Sequence, residues 1–257
     1  MQKIILSGIA LFIAFTLHAQ HTSPYYADKK IQVLELRNYV LKEGGRDNFI
    51  DSFKIYIEDS QNVKGAYVLG LYRVKDAETN FYWFRGYENM PLRKKAMEEF
   101  YASPYWASIT RIPQQYVINF HNVHLLKPYD ITTGDSTSGF AAAWFDKPKG
   151  VAVVDFYTGN GTRAKVIDYV SKSYHNLLQA SGVKDISYWI AEDQPNNYPQ
   201  HPVFQDSNSL VSIAFYKNEK EYKLVMNKLA SKMNAEMRNN MRSVFTLHSY
   251  VILYNAE

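Results

Sequence analysis

The 257 residues are 46% hydrophobic and 21% charged, with 21 tyrosines and 14 phenylalanines, a composition that excludes disorder and allows either one large domain or two small ones. There is no cysteine, which excludes disulfides, thiol nucleophiles, thiolate zinc sites and covalently attached c-type haem. The formal net charge is +4 and no block of like charges stands out, so nucleic acid is not an expected partner.

In chain order, Lys3, the nearly continuous apolar run Ile4 to Leu17 and the small residue Ala19 read as a signal peptide over 1–19. The expectation is export through the inner membrane to the periplasm or the medium. The run is shorter than the roughly 18–20 residues that cross a bilayer, so no stable membrane anchor is expected.

From Ile31 to Leu41 the side chains alternate, which predicts a strand. After the break at Gly44-Gly45, Phe49, Phe53, Tyr56 and Ile57 fall at helical spacing within Arg46 to Asp59. Strands follow at Gly65 to Val74 and Asn80 to Tyr87, then a helix at Leu92 to Tyr101 with Leu92, Ala96 and Phe100 on one face, then a strand at Tyr116 to Leu126. The order is βαββαβ over 31–126. A stretch rich in Thr, Ser, Gly, Asp and Pro, 127–149, reads as a linker in which Phe140 to Phe145 must still pack. The order then recurs over 150–255: strand Val151 to Tyr157, helix Arg163 to Ala180, strands Asp185 to Ala191 and Leu210 to Tyr216, helix Glu219 to Met237 and strand Ser243 to Tyr254.

Aligning Phe120-His121 with Leu247-His248, and Leu36 and Tyr39 with Val154 and Tyr157, gives the two halves the same strand faces. The expected fold is therefore α+β: two tandem ferredoxin-like βαββαβ units packed sheet to sheet as in a dimeric α/β barrel. On the premise that the more polar strand faces meet between the sheets, Glu35, Arg37, Tyr39, Asn119 and His121 would line an interior cleft with Asp155, Tyr157, Thr246 and His248. Arg85 lies on the strand beside Arg37, but Trp83 and Phe84 are both apolar and leave its facing open.

The residues Glu35-Leu36-Arg37-Asn38-Tyr39, Tyr82-Trp83-Phe84-Arg85-Gly86-Tyr87, Arg93 and Ser103-Pro104-Tyr105-Trp106 resemble the NIPSNAP family over 31–126. The second half resembles a diverged copy, with Val153 and Asp155 where the first has Glu35 and Arg37. The resemblance implies the dimeric α+β barrel architecture and no settled reaction. Relatives in the wider barrel class include cofactor-independent oxygenases and haem-handling enzymes, and fold analogy by itself assigns no catalytic residue.

Within the cleft so drawn, Arg37 beside Glu35 would hold an anion or form a structural ion pair. His121 and His248 occupy equivalent positions and would either meet near a pseudo-twofold axis, as a proton relay or as ligands to a metal or haem iron, or stay separately hydrogen-bonded. His121 and His124 form H-x-x-H, but an offset of three on a strand sends them to opposite faces, so no metal site is expected. Gly159-Asn160-Gly161-Thr162-Arg163-Ala164 matches a dinucleotide fingerprint, with Glu192 after the next strand, yet the antiparallel surroundings favour a tight-turn glycine. The long connection Asp193 to Ser209 reads as a solvated hairpin, the alternative being a lid that carries Tyr198 and His201. Met226, Met233, Met237 and Met241 read as soft core packing.

The expected function is binding of a small organic or anionic ligand by Glu35, Arg37, Tyr39, Arg85, Asp155 and Tyr157. His248 or His121 is the candidate acid or base, Arg37 the electrostatic stabiliser, and proton transfer or cofactor-free oxidation the candidate chemistry. No motif demands a cofactor, while haem and flavin stay open. The alternative is a non-catalytic module that self-associates or engages a protein partner through Tyr105 and Trp106. Loss of ligand binding without loss of fold in Arg37→Ala would separate the two.

Overall fold

The alternation of Val33 to Leu41 and the helical repeat that follows it belong to a fold with ten strands and their covering helices among the described residues. This computed structural model describes residues 24–135, 137–147 and 150–256; the expected leader, 1–19, lies outside them. The strands are β1 Lys30–Ile31, β2 Val33–Leu41, β3 Tyr67–Val74, β4 Asn80–Tyr87, β5 Val117–Tyr129, β6 Phe140–Ala141, β7 Val151–Gly159, β8 Asp185–Ala191, β9 Ser209–Tyr216 and β10 Phe245–Asn255. In the first half α1 Arg46–Phe53 runs through a π turn, Lys54–Glu58, into α2 Asp59–Asn62, and α3 Met90–Tyr101, α4 Pro104–Ile109 and α5 Arg111–Gln114 follow β4. In the second, α6 Arg163–Tyr169 runs through a π turn, Val170–Tyr174, into α7 His175–Ser181, and α8 Glu219–Lys232 and α9 Ala235–Val244 follow β9. Among the described residues no helix is long and apolar enough to cross a membrane.

Eight strands close a barrel in the order β10, β3, β4, β2, β5, β8, β9, β7, with β7 pairing back onto β10 and every pairing antiparallel. Each half contributes four strands in the same relative order, and the halves join through β5 on β8 and β10 on β3. Equivalent asparagines start the second long helix of each half: Asn89 accepts from the Leu92 amide at 2.9 Å and Asn218 from the Glu221 amide at 3.0 Å. Such caps satisfy amides that have no partner inside the helix. The helix expected over Glu219 to Met237 is instead two, because Met233 is extended and Asn234 caps α9; the last strand therefore starts at Phe245.

The barrel interior is apolar. Leu34, Leu36, Phe84 and Leu126 meet Val154, Trp189, Val211, Ile213 and Leu253 in one buried cluster. A barrel of eight strands is about wide enough for its own side chains to fill it. The polar cleft expected between the sheets is therefore absent. Glu35, Arg37 and Tyr39 point the other way, toward α1 to α3, and Asp155, Tyr157 and His248 likewise face the helix side of the second half. The physical reason is desolvation: charges aimed into a filled barrel would lose water without gaining partners, whereas the helix side supplies the partners.

The segment expected as a linker does structural work. Its first residues prolong β5 to Tyr129, where they pair with β8. Phe140, Trp144 and Phe145 then close the barrel end, with Phe140 5.2 Å from the Trp189 ring and Trp144 4.9 Å from that of Phe215.

Candidate functional site

On the outer face of β2, Glu35 sits opposite Arg85 of β4, and Arg37 opposite Trp83. Arg93 enters from α3. The stripe buried by that helix is Arg93, Ala96, Met97 and Phe100, not the expected Leu92, Ala96 and Phe100, since Leu92 is 39% exposed. Three guanidiniums thus surround one carboxylate, all four side chains fully buried. Oε2 of Glu35 accepts from Arg37 Nη1 at 2.7 Å and from Arg85 Nε and Nη2 at 2.8 and 2.6 Å, while Oε1 accepts from Arg93 Nε at 2.8 Å. Burial alone would push the Glu35 carboxyl up. The guanidiniums of Arg85, Arg93 and Arg37 outweigh it and hold the group well below the usual carboxylate range. With one carboxylate against three cations, the cluster keeps two excess positive charges.

That excess is passed to a cavity of about 350 Å³ between the sheet and helices, lined by Tyr39, Gln61, Trp83, Tyr101, Trp106, His201 and apolar side chains. Tyr39 Oη accepts from Arg37 Nε and Nη2 at 3.3 and 3.2 Å, Gln61 Oε1 accepts from Arg85 Nη1 at 3.0 Å, and Tyr101 Oη accepts from the same nitrogen at 3.4 Å. A phenol that accepts from a guanidinium keeps its own proton to donate, and burial raises the Tyr39 pKa so that the proton stays. The Arg37 and Arg85 planes also stack near Trp83, at 5.2 and 5.1 Å from its ring. Two buried polar atoms in the cavity wall have no partner among the described residues: Trp83 Nε1 and His201 Nδ1.

His201 reaches this cavity from the other half. The connection between β8 and β9 lies along β5, where the Glu192 amide donates to Leu125 O and the Phe204 amide to Val123 O, at 3.0 and 2.7 Å. Its tip caps the first half: Asn196 and Asn197 accept from Arg93 Nη1 at 3.0 and 2.7 Å, Asn197 Nδ2 donates to Met90 O, and Tyr198 stacks on Tyr101. The solvated hairpin expected for 193–209 is corrected to the lid. Burial, then the charges of Arg37 and Arg85, lower the His201 pKa to about 3, so its imidazole is neutral at neutral pH.

The second half builds a different site at equivalent positions. Val153, Asp155 and Tyr157 stand where the first half has Glu35, Arg37 and Tyr39, and across the ladder Ser212 and Ala214 stand for Trp83 and Arg85. His248 Nε2 lies 2.8 Å from Asp155 Oδ1 and its ring stacks on Tyr157 at 4.8 Å. A cavity of about 250 Å³ opens beside this pair.

The expected ligand set is therefore split. Glu35, Arg37, Tyr39 and Arg85 converge in one half, Asp155, Tyr157 and His248 in the other. His121 joins neither; it is exposed beside the Phe120 ring, so a relay between His121 and His248 is not formed. Gly161, at φ +110°, makes a tight turn. Glu192 accepts from the Gln194 amide and so shapes the lid. Trp106 turns into the first cavity rather than outward, and Tyr105 donates to Tyr56 O. Sequence reasoning passed over Gln61 and Tyr101, named Trp83 and Arg93 only within the family resemblance, and gave His201 only in the lid alternative. The signals were an arginine in the apolar stripe of α3 and the length of the connection 193–209.

No protein-family model and no curated protein matches the chain. Among solved structures, it is similar to a provisionally named monooxygenase of Fusobacterium nucleatum, with 11% identity over 89% of this chain and 94% of that one and a TM-score of 0.57. It is also similar to an anthrone oxidase-like protein, with 9% identity over 90% and 94% and a TM-score of 0.55. At such identities the likeness shows the fold, a dimeric α+β barrel, and nothing further. A NIPSNAP-like domain protein of Burkholderia xenovorans matches 39% of this chain and 88% of its own, at 20% identity and a TM-score of 0.36.

Proposed function

We propose that the chain is an exported small-molecule-binding protein made of two tandem ferredoxin-like units. In this reading the cavity of the first unit holds a small planar anion, such as an aromatic carboxylate, phenolate or enolate. The observation that carries it is the pair of unpartnered buried atoms, Trp83 Nε1 and His201 Nδ1, in a cavity wall backed by a cluster with excess positive charge. Burying such atoms unsatisfied costs about 1–3 kcal/mol each, which an oxygen-bearing ligand would recover. Tyr39, Tyr101 and Trp83 would aim donors at the ligand oxygen, and the aromatic walls would hold its plane. The size is consistent, since small-molecule cavities start near ~300 Å³.

A thermal-shift titration with aromatic carboxylates and phenols against their neutral amides and methyl ethers tests this. The anions are expected to raise the melting temperature in proportion to occupancy, and Trp83→Phe to weaken the effect. Equal shifts from neutral and anionic members would overturn the reading.

The names of the two structural neighbours favour one reaction class, oxidation of an enolisable aromatic by dioxygen. Donors that stabilise the conjugate base would raise the fraction of bound ligand in that form, which gives up electrons to dioxygen more readily than the neutral compound. Oxygen consumption on adding a phenol or anthrone to the protein, absent in Trp83→Phe and His201→Gln, is the outcome expected; binding without consumption leaves a binding protein.

A further inference from the structure

The cavity of the second half carries the opposite electrostatic sense. Its floor is Asp155 of β7 and His248 of β10, its walls are the rings of Tyr174, Tyr216 and Tyr222, and Met226 of α8 fills one side. We propose that this cavity is a binding site for a small organic cation, a primary or quaternary ammonium, held by the Asp155 carboxylate within a cage of tyrosine faces. The inference is independent of the anion reading for the first cavity.

Aromatic faces carry negative potential, and a cation over two or three of them is attracted by about 0.5–2 kcal/mol per contact once water is removed. Tyr216 and Tyr222 are set edge to face, ring centres 5.2 Å apart and planes at 69°, which makes two walls of a corner. The carboxylate is central. Tyr157, Tyr174, Tyr188, Tyr216 and Tyr222 all have raised pKa values, caused first by burial and then in part by the charge of Asp155. These phenols therefore stay neutral and leave Asp155 the anion of the site.

Asp155 is held through Oδ1 by His248, and its Oδ2 has no donor among the described residues. Its side chain is 20% exposed and that of His248 23%, so the pair is open to the cavity rather than sealed as Glu35 is. No lysine or arginine lines the cavity. Lys75, which approaches Tyr222, is neutralised by Glu219 at 2.6 Å. A volume of about 250 Å³ limits the ligand to a few heavy atoms around the charged nitrogen. Asp155 and Ala214 stand where the first half has Arg37 and Arg85, so neither of those guanidiniums is there to repel it.

The experiment is a calorimetric titration of the protein with choline and with its neutral isostere 3,3-dimethylbutan-1-ol. Choline is expected to bind at millimolar concentration or tighter, with the isostere at least about tenfold weaker. Asp155→Asn, nearly isosteric and therefore expected to fold, should abolish the preference for the cation. Tyr222→Ala, on the half-buried side of α8, should weaken choline about tenfold if its ring is a wall. Trp83→Phe in the first cavity should leave choline affinity within about twofold, as distant independent sites do. Equal affinity for choline and the isostere, an undiminished preference in Asp155→Asn, or no binding at ~10 mM choline would each overturn the proposal.

Discussion

The same strand positions carry opposite chemistry in the two halves. Around Glu35 the first half buries three arginines behind an aromatic cavity; around Asp155 the second keeps one half-open carboxylate–imidazole hydrogen bond within tyrosines. The exchange is collective. Glu35, Arg37 and Arg85 correspond to Val153, Asp155 and Ala214, so on these strands neither guanidinium is kept where the carboxylate is lost, and Asp155 has His248 as its partner. A buried charge stranded by a single change is destabilising, which is why such clusters change together.

The sharpest way to break the comparison is to strand the charges. Glu35→Gln leaves three buried guanidiniums uncompensated and should cost about 3–5 kcal/mol in urea unfolding. Asp155→Asn, at the half-open pair, should cost under about 1 kcal/mol. For the same reason Arg37→Ala cannot separate ligand binding from fold, since Arg37 is fully buried and its loss removes a partner of Glu35.

Acid unfolding sharpens the contrast next. His201 titrates at about 3 in the native chain, below its ordinary 6.5, so its contribution is full above pH ~6.5, falls as the unfolded chain takes up the proton, and is lost below pH ~3. Melting temperatures should therefore drop from pH 7 to 4, and His201→Gln should flatten that profile. The slope that remains above pH ~5 belongs to His124 and His175, whose imidazoles burial also pushes down, and below it Glu35 and Glu219, held low in the fold, add to it.

Smaller effects follow. Trp83→Phe keeps the ring core and removes one donor, so the affinity of an aromatic anion should fall about five- to tenfold. Asn197→Ala removes an acceptor of Arg93 and a donor to Met90 O; hydrogen exchange should quicken over 194–203, with a loss of about 0.5–1.5 kcal/mol and no change at the second cavity. Tyr105→Ala, on the surface, should stay within about 0.5 kcal/mol in the same unfolding assay.

Much of the strand order was legible because local patterns encode it. The period-two runs at Val33–Leu41 and Val151–Gly159 and the paired Gly44-Gly45 and Gly159–Gly161 turns announce equivalent elements. The members of the first cluster on β2, Glu35, Arg37 and Tyr39, were found for the same reason, since one strand face groups them. Their facing was not legible. β2 is buried on both sides, so alternation separates two faces without saying which looks into the barrel. The lid was legible only as the alternative to a solvated hairpin: His201 is 116 positions from Arg85 on the chain, and the zipper of 192–204 along β5 brings it over the first cavity.

The sequence by itself determined which residues share an element and a face, because hydrophobic period and turn chemistry are local. Tertiary structure decided what each face meets. This closed eight-stranded barrel is filled mainly by apolar side chains, and the charged faces lie outward beneath the helices, where two sites of different chemistry replace one shared cleft.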